Sequence, residues 1–240
     1  MIYADNSYIS IDDISITDNG YGAFFKQSSG SITNSVININ CAAVNTNGFK
    51  QTGSIKHTLV IDDNTLTTAE GAGITAYDQA RISASRNTIS GAEQGSGIAI
   101  RSSTADLYYN NIGPIGGFNG LWIYGTSEVT AIGNNITNTG KEAVVHGEYH
   151  YRDSGWPSIA PSESRLYMEN NMIDNNSGTC NSEKMYGGDF QCPAIHIFRA
   201  SATLYNNVVK NNIGDALRIK GGIAVSYTHL TLPTTWSVYF

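Results

Sequence analysis

The sequence predicts an all-β solenoid of parallel strands. Three observations carry that prediction. An Asn-x-apolar signature returns at a nearly constant interval. A pair of alternating apolar residues precedes it at a fixed offset. Further upstream, a small residue opens a second alternating pair. Self-similarity on a period of roughly 20–50 residues marks a repeat architecture, in which no single unit can bury its own apolar stripe.

From the N-terminus the signature is apolar in Ile14-Ser15-Ile16 and degenerate in Ser35-Val36-Ile37. It is then regular: Asn64-Thr65-Leu66, Asn87-Thr88-Ile89, Asn110-Asn111-Ile112, Asn134-Asn135-Ile136, Asn171-Met172-Ile173 and Asn207-Val208-Val209. The steps from Asn64 to Asn134 are nearly equal and define the unit. The last two steps are longer and contain insertions.

Three residues before each Asn stands Ile61, Ala84, Leu107, Ala131, Met168 or Leu204, and two before that Leu59, Ile82, Ala105, Val129, Leu166 or Ala202. Alternation at period two is a strand with one buried face. The upstream strand is opened by Gly22, Gly48, Gly73, Gly97, Gly120, Ala143, Ala194 or Ala216. Its first inward residue is then Ala23, Phe49, Ile74, Ile98, Leu121, Val144, Ile195 or Leu217.

Because every unit repeats the same elements in the same order, stacking places each strand beside its own copy, running the same way, at about 4.8 Å per coil. The regular two-residue turns of an antiparallel meander are absent, and so is a 3.6-residue apolar period. The Asn residues, Asn64, Asn87, Asn110, Asn134, Asn171 and Asn207, then form a column at a tight bend. There an amide tolerates left-handed geometry and offers both donor and acceptor.

Gly97-Ile98-Ala99-Ile100 together with Asn110-Asn111-Ile112 resembles the pectate-lyase-like right-handed parallel β-helix repeat family. The resemblance runs over about residues 8–225. It implies a single-stranded right-handed parallel β-helix of about eight coils. Enzymes, adhesins and structural proteins share this architecture.

The expected organisation is one β-helix domain over 1–224, with insertions at about 148–164 and 174–193. Beyond it, Val225 to Thr235 fits neither strand row. That run resembles translated sequencing-adapter read-through, so 225–240 is expected to be a non-native tail, and His229 and Trp236 carry no weight. Met1 enters repeat-like sequence directly, without a charged region and apolar core of the signal-peptide kind. The chain therefore reads as a fragment of a larger secreted or cell-surface protein.

Charged residues make up 14% of the chain, against roughly 25% in an average domain. The net charge of -6 argues against a nucleic-acid partner. No apolar run approaches the roughly 18 residues of a membrane-spanning helix. Of three cysteines, Cys180 and Cys192 bracket a polar loop. A disulfide between them would close about a dozen residues, contribute roughly 3 kcal/mol and place the protein in an oxidising compartment. The alternative is two free thiols. No zinc spacing, phosphate loop, nucleophile elbow or HExxH is present, so neither metal nor cofactor is expected.

In a β-helix the outward positions of the upstream strand form a long shallow groove. One row is Phe24, Lys50, Thr75, Ala99, Trp122, Val145, His196 and Arg218. The row two residues further on is Lys26, Thr52, Tyr77, Arg101, Tyr124, Gly147, Phe198 and Lys220. Aromatics, Lys and Arg supply most of these positions; Asp and Glu supply none. Paired carboxylates for glycoside hydrolysis and clustered oxygen ligands for calcium are thus missing from the rows. Asp78, Glu142 and Asp215 only border them.

The rows suit sugar rings stacking on aromatic faces, with cations pairing to acidic groups. Candidate ligand-binding residues are Tyr77, Arg101, Trp122, Tyr124, His196, Phe198, Arg218 and Lys220, with acidic polysaccharide or a surface glycan as partner. The bland alternative is that aromatic residues simply favour strand surfaces. The expected role is a non-catalytic module. The second is a polysaccharide lyase of which this chain is a fragment, for which the resemblance implies an Arg or Lys base. No lyase motif matches residue by residue, and no catalytic residue is assigned. His146 and His196 are the remaining titratable candidates.

Overall fold

Gly22, Gly73, Gly97 and Gly120 open coils where the chain has no room for a side chain. A Cβ on Gly97 would stand 2.5 Å from Ile112 Cγ2 and 2.7 Å from the carbonyl oxygen of Gly120. The small residue therefore records how closely the start of one strand approaches both the core and the next coil. In a computed structural model of the chain, residues 1–18, 20–48, 58–147, 164–182, 188–220, 225–228 and 238–239 are described.

The strands form three long parallel sheets, of ten, nine and eight strands in the described residues. Each coil visits the first, second and third sheet in turn, so the eight strands of the third sheet make eight complete coils, as the repeat predicts. In the fifth coil the strands are Ile98–Arg101, Thr104–Tyr108 and Asn111–Ile115. Inward residues keep register: Ile98 lies beside Ile74 and Leu121, and Ile112 beside Ile89 and Ile136, although the third sheet shifts register between Ile89 and Gly91, where Gly91 lies beside Ile115. The third-sheet file Ile37, Leu66, Ile89, Ile112, Ile136, Ile173 and Val209 is buried from end to end. Burying each such side chain contributes about 1.5–3 kcal/mol, and only the neighbouring coils supply the burial.

The Asn residues stand in single file. The Asn87 side-chain amide donates to Asn110 Oδ1 (2.9 Å) and to the Ile61 carbonyl (2.8 Å), and its backbone N–H donates to the same Oδ1 (3.1 Å). The pattern repeats from Asn64 to Asn87, Asn110 to Asn134, Asn134 to Asn171 and Asn171 to Asn207. At the N-terminal end Ser35 stands in for Asn: its backbone N–H donates to Asn64 Oδ1, and its hydroxyl accepts from Ile14 N–H.

One detail differs from expectation. The left-handed residue is the one before the Asn, as in Asp63 (φ 55°), Arg86 (φ 54°), Tyr109 (φ 55°) and Asn170 (φ 53°). That residue turns outward to solvent, which leaves the Asn amide free to face the column.

The third coil opens earlier than the sequence pattern predicts. Gly48-Phe49 imitates the opening signature, but the first-sheet strand is Val44–Asn47, with Val44 beside Ala23 and Ile74. The alternation is masked in this strand because its second inward position is Thr46, a buried polar residue. The outward positions of this coil are therefore Asn45 and Asn47; Lys50 and Thr52 lie outside the described residues.

Of the two insertions, residues 148–163 lie outside the described residues. The segment around 174–193 contains an antiparallel hairpin, Thr179–Ser182 against Gly188–Gln191. Cys192 is disulfide-bonded and Cys41 is free. Cys180 lies on the first hairpin strand, where side chains are outside the described ones. Nor does the C-terminal run avoid both strand rows. Val225–Thr228 pairs in parallel with the second-sheet strand Ser201–Tyr205, Val225 beside Ala202. Alternation of Val225 and Tyr227 with Ser226 and Thr228 is strand-compatible.

Candidate ligand-binding face

The register of the first sheet sets the outward side chains one strand spacing apart. Tyr77, Arg101 and Tyr124 are consecutive neighbours in one row; Thr75, Ala99 and Trp122 are consecutive in the other. Four of the eight expected site residues, Tyr77, Arg101, Trp122 and Tyr124, therefore come together over three coils. The Arg101 guanidinium lies 4.7 Å from the centre of the Tyr77 ring. Trp122 stacks on Tyr124 with ring centres 4.4 Å apart. Burial raises the hydroxyl pKa of Tyr77 and of Tyr124, so both remain neutral hydrogen-bonding groups.

Arg101 is also engaged. Its Nη2 donates to both carboxylate oxygens of Asp78, at 2.9 and 3.0 Å, and Asn47 Nδ2 donates to the same carboxylate at 3.1 Å. Asp78, a border residue in the sequence rows, thus neutralises the ledge by pairing with Arg101. Beneath it, Thr75 Oγ1 and Trp122 Nε1 are buried without a hydrogen-bond partner. An unpaired buried polar group costs about 1–3 kcal/mol.

His196, Phe198 and Arg218 form a second group, separated from the first by Val145 and Gly147, which add no polar or aromatic side chain to the face. Outward position does not mean exposure here: Thr75, Ala99, Val145 and His196 are all buried. His196 Nδ1 lies 3.5 Å from Glu142 Oε1, and Asn119 Nδ2 donates to Glu142 Oε2 at 2.9 Å. Phe198 meets the His196 ring edge-on. Arg218 donates to Asp215 through Nε at 3.1 Å. Lys220 sits beside Phe198 in register, and its side chain is outside the described ones.

His146 belongs to the interior. It takes an inward position between Ile123 and Ile197. The Ser164 hydroxyl donates to the Ser127 carbonyl at 3.0 Å, so at 2.8 Å it accepts from His146 Nε2–H. That assigns the neutral tautomer with Nδ1 bare, and Nδ1 is buried without a partner. Burial lowers the imidazole pKa to about 4.

A second polar ladder, missed in the sequence, runs up the third turn. Asn176 Nδ2 donates to Asn212 Oδ1 at 2.8 Å, and Thr139 donates through backbone N–H and hydroxyl to Asn176 Oδ1. Its signal in the sequence is the polar residue five places after each of the last three column residues, Asn134, Asn171 and Asn207: Thr139, Asn176 and Asn212.

The family model described as "Right handed beta helix region" matches residues 58–231. None of the curated proteins matches the chain. Among solved structures, ORF18 of Geobacillus virus E2 is similar with 9% sequence identity and a TM-score of 0.40, over 94% of this chain and 52% of that one. The chain thus spans about half the length of that protein.

Proposed function

The chain belongs to the right-handed β-helix family, and from that architecture we propose a rigid, non-catalytic surface module that contacts glycan along the outer face of its first sheet. The observation that carries this reading is the ledge of Tyr77, Arg101, Trp122 and Tyr124. It presents ring faces on a scaffold whose positions are held by parallel register on both sides, so little ordering cost remains on binding. Sugar C–H faces fit the aromatic surface. The disulfide at Cys192 suits a secreted or cell-surface location.

A glycan array, run with absorbance detection of unsaturated sugar products, tests the reading. Binding without product supports it. New unsaturated ends would make the chain an enzyme. Absence of any binding would reduce the ledge to strand-surface packing.

A further inference from the structure

The first-sheet face carries a second aromatic ledge that the sequence rows did not single out. Tyr3 stacks on Phe24 with ring centres 5.6 Å apart and planes at 6°. Both stand in the same outward row as Trp122. That row runs Tyr3, Phe24, Asn45, Thr75, Ala99, Trp122, one residue per coil. Phe24 and Trp122 are four strand spacings apart, roughly 19 Å along the solenoid axis. Between them the floor is polar or small.

The two ledges share a composition. Beside Tyr3 and Phe24, the Lys26 ammonium lies 3.1 Å from Asp5 Oδ2. Beside Tyr77, Trp122 and Tyr124, Arg101 is clasped by Asp78. Each ledge therefore pairs stacked rings with a cation already matched by its own carboxylate. An anionic sugar chain would have to displace Asp5 and Asp78 or lie against them, on a protein of net charge -6. Sequence alone pointed to an acidic glycan because it showed the cations without their partners.

We propose that the ligand of this face is an uncharged polysaccharide that runs along the solenoid axis and rests on both ledges at once. The inference rests on the glycan-binding reading above and adds charge and length to it. One sugar ring advances an extended chain by about as much as one coil advances the solenoid. A hexasaccharide therefore reaches from Phe24 to Trp122 and a disaccharide cannot. Joining the two contacts in one ligand makes the second intramolecular, so affinity rises with chain length.

Calorimetric titration with neutral di- and hexasaccharides of glucose, mannose and galactose, and with hexagalacturonate, provides the test. At least one neutral hexasaccharide is expected to bind about tenfold tighter than its own disaccharide and than hexagalacturonate. Phe24→Ala is expected to weaken that hexasaccharide about tenfold, and its disaccharide less. Asp78→Asn keeps the left-handed backbone of this position (φ 55°), which Asn tolerates. It releases Arg101, so affinity for hexagalacturonate is expected to rise. A wild-type preference for hexagalacturonate, a disaccharide bound as tightly as the hexasaccharide, or no gain in Asp78→Asn overturns this proposal and leaves glycan binding standing. No binding to any of the sugars overturns both.

Discussion

The buried second turn and the outer face of the first sheet are written by the same repeat, yet they obey opposite rules. At the turn the same residue recurs from Asn64 to Asn207, because each amide is simultaneously the partner of the amide above and below. On the outer face a single row holds Tyr3, Phe24, Asn45, Thr75, Ala99, Trp122, Val145, His196 and Arg218. Nothing in the stacking demands one residue type there. A solenoid's inner columns are thus set by the contact between coils, and its outer rows are left for whatever the molecule meets.

Substitution at neighbouring residues is the sharpest way to break that contrast. Asn110→Ala leaves the Asn87 backbone N–H without its acceptor, takes one of two acceptors from the Asn87 side-chain amide and removes a donor from the Ala84 carbonyl. At about 1–3 kcal/mol for each buried group, the loss is about 4 kcal/mol or more. Asn111→Ala, at the adjacent exposed position, removes one acceptor from Asn135 and costs about 0.5 kcal/mol or less. Denaturant melts of the two variants measure the difference. Equal midpoints would mean that the column does not hold the coils.

The interior also predicts a pH dependence. His146 is neutral in the folded chain, where burial lowers its pKa to about 4 from the ordinary 6.5. The unfolded chain binds the proton first as pH falls. Stability is therefore complete above about pH 6.5, declines as pH drops toward 4 and is flat below that. The decline amounts to roughly 3 kcal/mol. His146→Leu continues the apolar file and is expected to remove this component; a pH profile of unfolding that keeps its slope in the variant would refute the assignment.

The second ladder is shorter and should matter less than the first. Asn176→Ala leaves the Thr139 N–H unpaired and takes the side-chain donor from Asn212 Oδ1, which keeps only the backbone N–H of position 176. An expected loss of about 2 kcal/mol lowers Tm by several degrees in a chain of this size. On the outer face the effect on folding is smaller than in either ladder: Trp122→Ala gives up its stack on Tyr124, about 1 kcal/mol. Its consequence belongs to glycan affinity instead. A Tm drop as large as that of Asn110→Ala would show Trp122 to be a packing residue.

Much of the architecture was legible because strand period and coil contact act on adjacent letters. Leu59 and Ile61, or Ile82 and Ala84, announce an inward pair two residues apart, and Asn three places later closes the turn. Thr46 concealed the third coil, since a buried polar residue at an inward position breaks the alternation that reveals a strand. The candidate face was legible only in part. Tyr77, Arg101, Trp122 and Tyr124 could be placed together by counting from the small residue that opens each strand. His196 could not be placed in depth, because its burial against Glu142 depends on a residue 54 positions away.

What the sequence determined by itself is the stacking of coils: the period, the small residue at each opening and the amide column are local patterns that repeat, and a repeated local pattern has one economical packing. What only the tertiary structure decided is the chemistry of the surface. Lys26 and Arg101 read as free cations in a string of letters and become neutral pairs once Asp5 and Asp78 are brought beside them. Charge on a face is a sum over neighbours in space, and those neighbours lie a full coil away along the chain.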